Sequence, residues 1–197
     1  MGNKKAMEKN ELYPIFLKVH VLHVTIVGGG WVGLEKVGFL LKSSPNANVK
    51  MVALEFSERV KELVEEHNVQ LVQKAYEKTD LQGSQLVIAA TNDEQVNISV
   101  YNDAKEKNIL VNVADNPPYC DFYMGGIVTK GNVKIAISTN GKSPTTAKRL
   151  RQFFEEVLPD DINKLVENLN SYRKSLKADF ESKVEHLNTL TESLIKK

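Results

Sequence analysis

An apolar strand pattern that ends in a glycine-rich turn restricts the fold of this chain more than any other feature. The pattern covers residues 23–27, and Gly28-x-Gly30-x-x-Gly33 follows directly. It predicts a strand, a tight turn and then a helix that begins near residue 31. The first glycine permits the turn, the second lets a pyrophosphate approach the backbone, and the third allows helix and strand to pack closely. Free N–H groups at the helix start attract phosphate charge. We therefore expect a dinucleotide site; the alternative is a glycine turn with a purely structural purpose.

Strands and helices alternate through the first 114 residues. The run at 86–91 is apolar almost throughout, which is typical of a strand buried on both faces of a parallel sheet. The succession predicts a doubly wound α/β sheet of the Rossmann type. The expected strands are 21–27, 49–54, 69–73, 86–91 and 109–113, and the expected helices are 31–42, 58–67 and 95–107.

The alternation stops after Asp115, because the prolines of Asn116-Pro117-Pro118 cannot continue a strand ladder. Apolar segments at 127–129 and 133–138 flank a Lys-Gly-Asn turn and predict a β-hairpin. Ser143 and Pro144 predict the start of a helix that ends near residue 157, and the chain from 160 onward has the pattern of one further helix. We expect a dinucleotide-binding domain at 1–114, a small α+β domain at 115–145 and a helical region at 146–197.

The composition is that of an ordinary globular protein, with 42% apolar and 26% charged residues. A formal net charge of +1 gives no general reason to expect nucleic acid or a membrane as partner. A single cysteine, Cys120, excludes an internal disulfide and a Cys-rich zinc site, and the four histidines lack paired metal-ligand spacing. No apolar run is long enough to span a bilayer, and no signal peptide is recognisable. We expect a soluble, cytoplasmic protein without a bound metal.

Glu55 and the pair Thr91-Asn92 are the candidate cofactor residues outside the glycine turn. Glu55 lies 22 positions after Gly33, at the end of the second predicted strand. A carboxylate there can accept hydrogen bonds from ribose hydroxyls, which favours NAD over NADP; the alternative is a solvated glutamate. Thr91 and Asn92 follow the fourth strand, on the side of the sheet where ligands bind. The alternative is a helix-capping loop, and the two roles are compatible.

Asp115 ends the fifth strand on the same side of the sheet. A carboxylate held there could act as a general base or position a substrate N–H, and the alternative is an ordinary turn-forming aspartate. Basic residues follow at a predicted helix start, where they could hold an anionic substrate or simply form a solvated helix face. They are Lys142, Lys148, Arg149 and Arg151.

Six ordered segments resemble the family of precorrin-2 dehydrogenases, several of which are also sirohydrochlorin ferrochelatases. The same module forms the amino-terminal part of siroheme synthases. The similarity runs from about residue 12 to at least residue 180. The segments are Leu12-Tyr13-Pro14-Ile15-Phe16-Leu17, Val27-Gly28-Gly29-Gly30-Trp31-Val32, Ala89-Ala90-Thr91-Asn92-Asp93, Val111-Asn112-Val113-Ala114-Asp115, Cys120-Asp121-Phe122 and Ala136-Ile137-Ser138-Thr139-Asn140-Gly141-Lys142-Ser143-Pro144.

The resemblance implies NAD-dependent oxidation of precorrin-2 to sirohydrochlorin, followed in some members by insertion of Fe²⁺ or Co²⁺ in the same cleft. It implies a homodimer in which the 115–145 region is the dimerisation domain and its hairpin takes part in strand exchange. Asp115 would be the catalytic residue. The implied cofactor contacts are Gly28, Gly29, Gly30, Trp31, Val32, Gly33, Leu54, Glu55, Thr91 and Asn92, and the implied substrate contacts are Asn112, Ser138, Lys142 and Ser143.

Three positions differ from the family's usual pattern. Gly33 stands where alanine is common, and we expect either residue to allow close packing. Trp31 stands where a short polar residue is frequent, and Gly125-Gly126 replaces a Pro-Ala pair. The chain as given lacks the methyltransferase domain of the fused enzymes, so we expect methylation to be done elsewhere.

Two rival functions share parts of this pattern. An NAD-sensing regulatory module, such as that of a potassium transporter, would need the glycine turn and Glu55 but not the segments at 111–115 and 136–144. The second rival is a tetrapyrrole metal chelatase with a vestigial nucleotide site, which would insert metal without NAD⁺ and show no dehydrogenase activity.

Overall fold

The computed structural model describes residues 10–192, and the chain divides into two compact units. The first unit holds the residues up to Gly125 together with Ser138–Ser143. The second holds Gly126–Ile137 and the residues from Pro144 onward. Each unit has its own sheet.

A five-stranded parallel sheet forms the first unit, with strand order β3-β2-β1-β4-β5. This order confirms the predicted Rossmann-type sheet, because the chain turns back across β1 to add β4 and β5. The strands are β1 (His23–Val27), β2 (Asn48–Ala53), β3 (Val69–Gln73), β4 (Leu86–Ala89) and β5 (Leu110–Val113). The helices are α1 (Trp31–Ser43), α2 (Glu58–Val64) and α3 (Glu94–Glu106).

Both faces of this sheet are buried, which explains the near-continuous apolar runs of its strands. On one face Ile26, Met51 and Ile88 pack with residues of α1 and α2. On the other face Val87 and Val111 pack with residues of α3. Each of these side chains is at most 1% exposed, and burial of one stabilises the fold by roughly 1.5–3 kcal/mol. The sheet is therefore a rigid base for the loops at its edge.

Four predicted elements of this unit are shorter than expected. Strand β4 ends at Ala89 rather than at residue 91, and β5 begins at Leu110 rather than at residue 109. Strand β1 begins at His23 because the N–H groups of Val21 and Leu22 turn back and donate to the carbonyl of Lys18. Helix α2 ends at Val64 rather than near residue 67. The connection from β3 to β4 contains only a short 3-10 helix, Lys78–Leu81, which the sequence pattern did not predict.

The second unit contains the predicted hairpin and three helices. Strands β6 (Gly126–Lys130) and β7 (Val133–Ile137) pair antiparallel, and Gly131 at the turn has φ +57°. The helix expected after Ser143 is confirmed as α4 (Pro144–Val157). The helices that follow are α5 (Ile162–Ser175) and α6 (Phe180–Thr191).

The expectation of one continuous helix from residue 160 to the end is wrong. Leu176 leaves the helical region with ψ 123°, and α6 starts afresh at Phe180. Asp179 explains the restart, because its carboxylate accepts hydrogen bonds from the N–H (2.9 Å) and hydroxyl (2.9 Å) of Ser182. An aspartate side chain that satisfies a free N–H in this way favours a helix start over a helix interior.

Within residues 10–192, no helix combines the length and the apolar character that crossing a bilayer requires.

Candidate active site

Four loops of the first unit meet at the carboxyl edge of the parallel sheet. They follow β1, β2, β4 and β5, and they carry the glycine turn, Glu55, Thr91 and Asp115 respectively. Strands β2 and β4 both pair with β1 in parallel, so the ends of these three strands lie side by side. The crevice beside β1 is the topological switch point, where open α/β sheets bind their ligands. The structure thus brings the main sequence-predicted residues to one edge.

Gly28 and Gly30 match the roles predicted for the first two glycines. Gly28 has φ +128°, and a Cβ atom there would lie 2.2 Å from the carbonyl oxygen of Ala90. Only glycine fits this conformation and this close approach. At Gly30 an added Cβ would meet nothing within 4 Å. The backbone at Gly30 therefore borders open space, as a site for a pyrophosphate requires.

Gly29 has a role that the sequence pattern did not reveal. A Cβ at Gly29 would lie 2.2 Å from the carbonyl oxygen of Glu55 and 2.7 Å from the ring of Phe56. The carbonyl of Gly29 also accepts a hydrogen bond of 3.1 Å from the N–H of Ser57. The glycine turn is therefore fixed directly against the loop that carries Glu55.

Gly33 is packed more tightly than expected. A Cβ at Gly33 would lie 2.3 Å from the carbonyl oxygen of Gly28, closer than two such atoms can stand without movement. The expectation that alanine would serve equally well at this position is therefore wrong for this chain. The third glycine is required by the backbone of the turn itself.

The amino terminus of α1 is built to receive an anion. Gly30 is its N-cap residue and makes no side-chain cap. At the same edge of the sheet, α3 is capped by Asp93, whose carboxylate accepts from the N–H groups of Gln95 (2.9 Å) and Val96 (3.3 Å). The first N–H groups of a helix and its dipole favour a negative ligand. Because α1 lacks the side-chain cap that α3 has, the N–H groups of its first turn fit the phosphates of a dinucleotide.

Three of the predicted cofactor residues surround this helix start and the end of β2. Trp31 is the first residue of α1 and is 70% exposed, and Leu54 is also 70% exposed. The Glu55 side chain is exposed as well. Their contacts with a cofactor stay predictions, as does that of Val32, which is half-buried.

Thr91 is held by a residue that sequence reasoning missed, Asn97. The Asn97 side chain is 9% exposed and accepts hydrogen bonds from the N–H (3.1 Å) and hydroxyl (2.8 Å) of Thr91. Its amide nitrogen donates to the Thr91 carbonyl over 3.0 Å. Together with the cap at Asp93, these bonds make 91–93 a helix-capping loop, which was the stated alternative. A cofactor contact by Thr91 or by the exposed Asn92 stays a prediction.

Asp115 stands exposed just after β5 with φ +57°. A left-handed conformation in a residue other than glycine costs about 1–3 kcal/mol, and such residues are frequent at functional sites. The surrounding chain must therefore hold Asp115 in place. A role of its carboxylate as a general base stays a prediction.

Asn112 lies inside the fold rather than on its surface. It is 7% exposed, and its amide nitrogen donates to the carbonyl of Phe122 over 2.8 Å and to Sγ of Cys120 over 3.3 Å. The desolvation caused by burial raises the pKa of the Cys120 thiol, which keeps it protonated and unreactive. The predicted substrate contact of Asn112 remains untested.

The segment Ser138–Ser143 is held as a turn. The Thr139 hydroxyl donates to the Ser143 carbonyl (3.0 Å) and accepts from the Ser143 N–H (3.2 Å). Asn140 and Gly141 have φ of 54° and 72°, and the N–H of Asn140 donates to the Ser138 hydroxyl over 3.1 Å. Ser138 and Lys142 are exposed. Substrate contacts by Ser138, Lys142 and Ser143 stay predictions.

The other basic residues are on α4, in the second unit. Lys148 and Arg149 are exposed, and Arg151 forms an ion pair of 2.5 Å with Glu155. Among residues 10–192, no group of three or more His, Cys, Asp or Glu side chains could hold a metal ion.

Comparison with known proteins agrees with this geometry. A family described as "Putative NAD(P)-binding" matches residues 15–126, more than half of the chain. A second family, "Sirohaem biosynthesis protein central", matches residues 130–156. The first description confirms the nicotinamide-dinucleotide cofactor expected from the sequence.

Curated siroheme synthases are similar to most of the chain. The protein from Pseudoalteromonas atlantica is 39% identical over 172 residues, which cover 87% of this chain and 37% of the relative. The protein from Methylococcus capsulatus is 40% identical over 146 residues, which cover 74% of this chain and 30% of the relative. The chain thus spans about a third of the length of the curated relatives it matches.

A solved structure of SirC, a precorrin-2 dehydrogenase, confirms the fold. It superposes with a TM-score of 0.75 at 22% identity, covering 91% of this chain and 89% of that one. The chain therefore belongs to the putative NAD(P)-binding family and is similar to about a third of the length of siroheme synthases.

Proposed function

We propose that this chain oxidises precorrin-2 to sirohydrochlorin and uses NAD as the hydride acceptor. The observation that carries the proposal is the shared edge of the sheet. An uncapped helix start, an acidic residue after β2 and a strained, exposed aspartate after β5 lie on that one edge. The tetrapyrrole as substrate is supported by the names of the relatives, siroheme synthase and precorrin-2 dehydrogenase.

In this proposal the chain holds NAD through three features. The backbone around Gly30 and the first turn of α1 bind the pyrophosphate, because that turn has no side-chain cap. Glu55 accepts hydrogen bonds from the ribose hydroxyls, which favours NAD over NADP. Gly29 fixes the distance between these two features. When bound, NAD supplies the oxidation by accepting a hydride from the substrate.

Asp115 supplies the proton transfer. Loss of a hydride from precorrin-2 leaves a cationic ring system, and loss of one proton from nitrogen restores neutrality. The Asp115 carboxylate accepts that proton and then releases it to water. The products are sirohydrochlorin, NADH and one proton, so the step balances.

Polar groups of the segment Ser138–Ser143 would bind the substrate's carboxylates. Precorrin-2 carries acetate and propionate side chains around its ring. Lys142 offers an ammonium, and Ser138 and Ser143 offer hydroxyl donors within one short turn. Charge-assisted hydrogen bonds of this kind are stronger than neutral ones and would orient the ring.

Insertion of Fe²⁺ or Co²⁺ into sirohydrochlorin is the second candidate activity, with the metal as a substrate. The exposed carboxylate of Asp115 favours it, because pyrrole protons must leave as a metal enters the ring.

We place both reactions in the cytoplasm, in agreement with the single cysteine of the sequence.

We further propose that the chain acts as a homodimer through its second unit. Its helices present apolar side chains to solvent, and runs of exposed apolar surface mark interaction sites. Within residues 10–192 the exposed apolar side chains of α4, α5 and α6 include Leu150, Phe153, Val157, Tyr172, Phe180, Val184 and Leu190.

The glycine turn gives a first test. Gly30→Ala adds a methyl group to open space, so the thermal stability should stay unchanged while the Kd for NAD⁺ rises roughly tenfold or more. Gly29→Ala forces a methyl group onto the Glu55 carbonyl and should cost about 1–3 kcal/mol of stability. Calorimetric titration and denaturant unfolding measure both effects. A Gly30→Ala protein that binds NAD⁺ normally would place the pyrophosphate elsewhere.

Replacement of Glu55 tests the choice of cofactor. Glu55→Ala should raise the Kd for NAD⁺ roughly 10- to 100-fold, since one charge-assisted hydrogen bond contributes roughly 1.5–3 kcal/mol. The Kd for NADP⁺ should change little, so the preference for NAD⁺ over NADP⁺ becomes smaller. Glu58→Ala is the matched control, because that carboxylate is paired with Lys61 at 2.7 Å. Equal effects of the two variants would contradict the ribose contact.

Replacement of Asp115 tests the reaction itself. Asn tolerates the left-handed conformation, so Asp115→Asn should fold and bind NAD⁺ normally while kcat falls by a factor of about 10²–10⁴. The assay follows sirohydrochlorin absorbance and NADH together, with Fe²⁺ or Co²⁺ added in parallel. Glu94→Gln, an exposed carboxylate change on the same edge, is the control.

The wild-type protein in that assay separates the proposed function from its rivals. If it binds NAD⁺ but converts no precorrin-2 and inserts no metal, the protein is a nucleotide sensor. Metal insertion that needs no NAD⁺, without any dehydrogenation, would identify a chelatase with a vestigial nucleotide site.

Sedimentation velocity tests the homodimer. The wild-type chain should sediment with twice its monomer mass of 22.1 kDa. Phe153→Glu places a charge on the exposed apolar face of α4 and should shift the population to monomer, whereas Lys148→Glu on the same helix should not. A monomeric wild-type chain at micromolar concentration rules this proposal out.

A further inference from the structure

The loop that carries Asp115 is closed at its base by the backbone and side chain of Asp121. We call residues 114–120 the Asp115 loop. The N–H of Asp121 donates to the Val111 carbonyl over 2.7 Å, and the Val111 N–H donates to Oδ2 of Asp121 over 3.1 Å. Both bonds are made on the free side of β5, which is the last strand of the sheet. Asp121 thus satisfies both polar backbone groups of Val111 and joins the two ends of the loop.

A cation on the neighbouring helix fixes the second oxygen of the same carboxylate. Lys105 of α3 donates to Oδ1 of Asp121 over 2.7 Å, and the Asp121 side chain is only 25% exposed. This hydrogen bond raises the pKa of the Lys105 ammonium. One carboxylate therefore links β5, α3 and the end of the Asp115 loop.

The residues on either side of Asp121 strengthen the closure. Cys120 Sγ donates to the Val113 carbonyl over 3.2 Å, and the Asn112 amide donates to the Phe122 carbonyl over 2.8 Å. The three consecutive residues 120–122 thus all contact β5, and Cys120 contacts both Asn112 and Val113. The resemblance to the precorrin-2 dehydrogenases includes this Cys-Asp-Phe segment, but the proposed chemistry gives it no role.

The closure matters because Asp115 is in a conformation that it would leave if free. At φ +57°, Asp115 is held by the turn that the Asn116 N–H closes on the Val113 carbonyl over 3.2 Å, and that turn needs a fixed chain on both sides. On one side it is fixed by β5. On its carboxyl-terminal side the chain passes Pro117 and Pro118 and then reaches Asp121. Asp121 is the first residue there whose charged side chain is hydrogen-bonded to β5 and α3.

We propose that Asp121 is a positioning residue: its carboxylate closes the Asp115 loop and thereby holds the Asp115 carboxylate where the substrate proton is removed. This inference rests on the proposed function of Asp115. Asp121 itself contacts β5 and α3 and takes no part in the proton transfer.

Three variants separate the two contacts of the Asp121 carboxylate. Asp121→Ala removes both. Asp121→Asn keeps one oxygen for the Val111 N–H but loses the ion pair. Lys105→Met removes only the cation. Asp103→Asn is the matched control, because Asp103 is a carboxylate of α3 itself that accepts from the Tyr76 hydroxyl over 3.0 Å and has no hydrogen bond to β5 among those of the described residues.

Steady-state kinetics and amide hydrogen exchange are measured on the full chain, well below the unfolding temperature of each variant. For Asp121→Ala we expect kcat to fall by roughly 10- to 100-fold, since displacement of a catalytic group by about 1 Å has an effect of that size. The Kd for NAD⁺ should stay within twofold of wild type. Exchange at the amides of Val111 and Asn116 should accelerate. The loss in kcat should be smaller for Asp121→Asn than for Asp121→Ala, and smaller again for Lys105→Met.

The outcomes decide the inference separately from the proposed function. An unchanged kcat in Asp121→Ala despite faster exchange overturns it, and so does an equal loss of kcat in Asp103→Asn, which would indicate general destabilisation. If wild-type protein shows no turnover, the proposed function fails. Hydrogen exchange then still decides whether Asp121 closes the loop: unchanged exchange in Asp121→Ala overturns the inference, and accelerated exchange supports the closure.

Discussion

The close approach of Gly28 to Ala90 is the constraint on which the rest of the site depends. The N–H of Gly28 donates to the Val52 carbonyl over 2.9 Å, and the N–H of Ala90 donates to the Val27 carbonyl over 2.8 Å. The chain leaving β1 is thereby held between the ends of β2 and β4. Any side chain at Gly28 would separate these ends and open the crevice, because its Cβ would overlap the Ala90 carbonyl.

Most of the first unit could be predicted from its sequence because its signals are local. Strand and helix periodicities follow from burial on each face of the sheet, and the glycine spacing follows from a turn with one conformation. The edge that carries Glu55 and Asp115 could also be predicted, since parallel strands place all their carboxyl ends on the same side. Whether those residues act as expected depends on the substrate and cofactor, so their roles stay proposals.

The contacts that could not be predicted join residues that no sequence motif marks. Asn97 looks like an ordinary helix residue, and only the structure shows its amide bonded to Thr91. The Gly-x-Gly-x-x-Gly pattern allows any residue at position 29, but a Cβ atom at Gly29 would overlap the Glu55 carbonyl. The break before α6 was missed for a similar reason, because one capping aspartate at 179 outweighs an apolar stripe that continues through it.

The last strand of the sheet connects the stability of the fold to its chemistry. A strand at the edge of a sheet has unpaired N–H and C=O groups, which proteins cover with loops or charges. Here the covering segment is the one that returns from Asp115, and Asp121 pairs with Val111 as a neighbouring strand would. The same hydrogen bonds that protect the edge of β5 therefore also fix the Asp115 loop. A strained aspartate can be maintained at such a place because the edge would need covering whatever the role of Asp115.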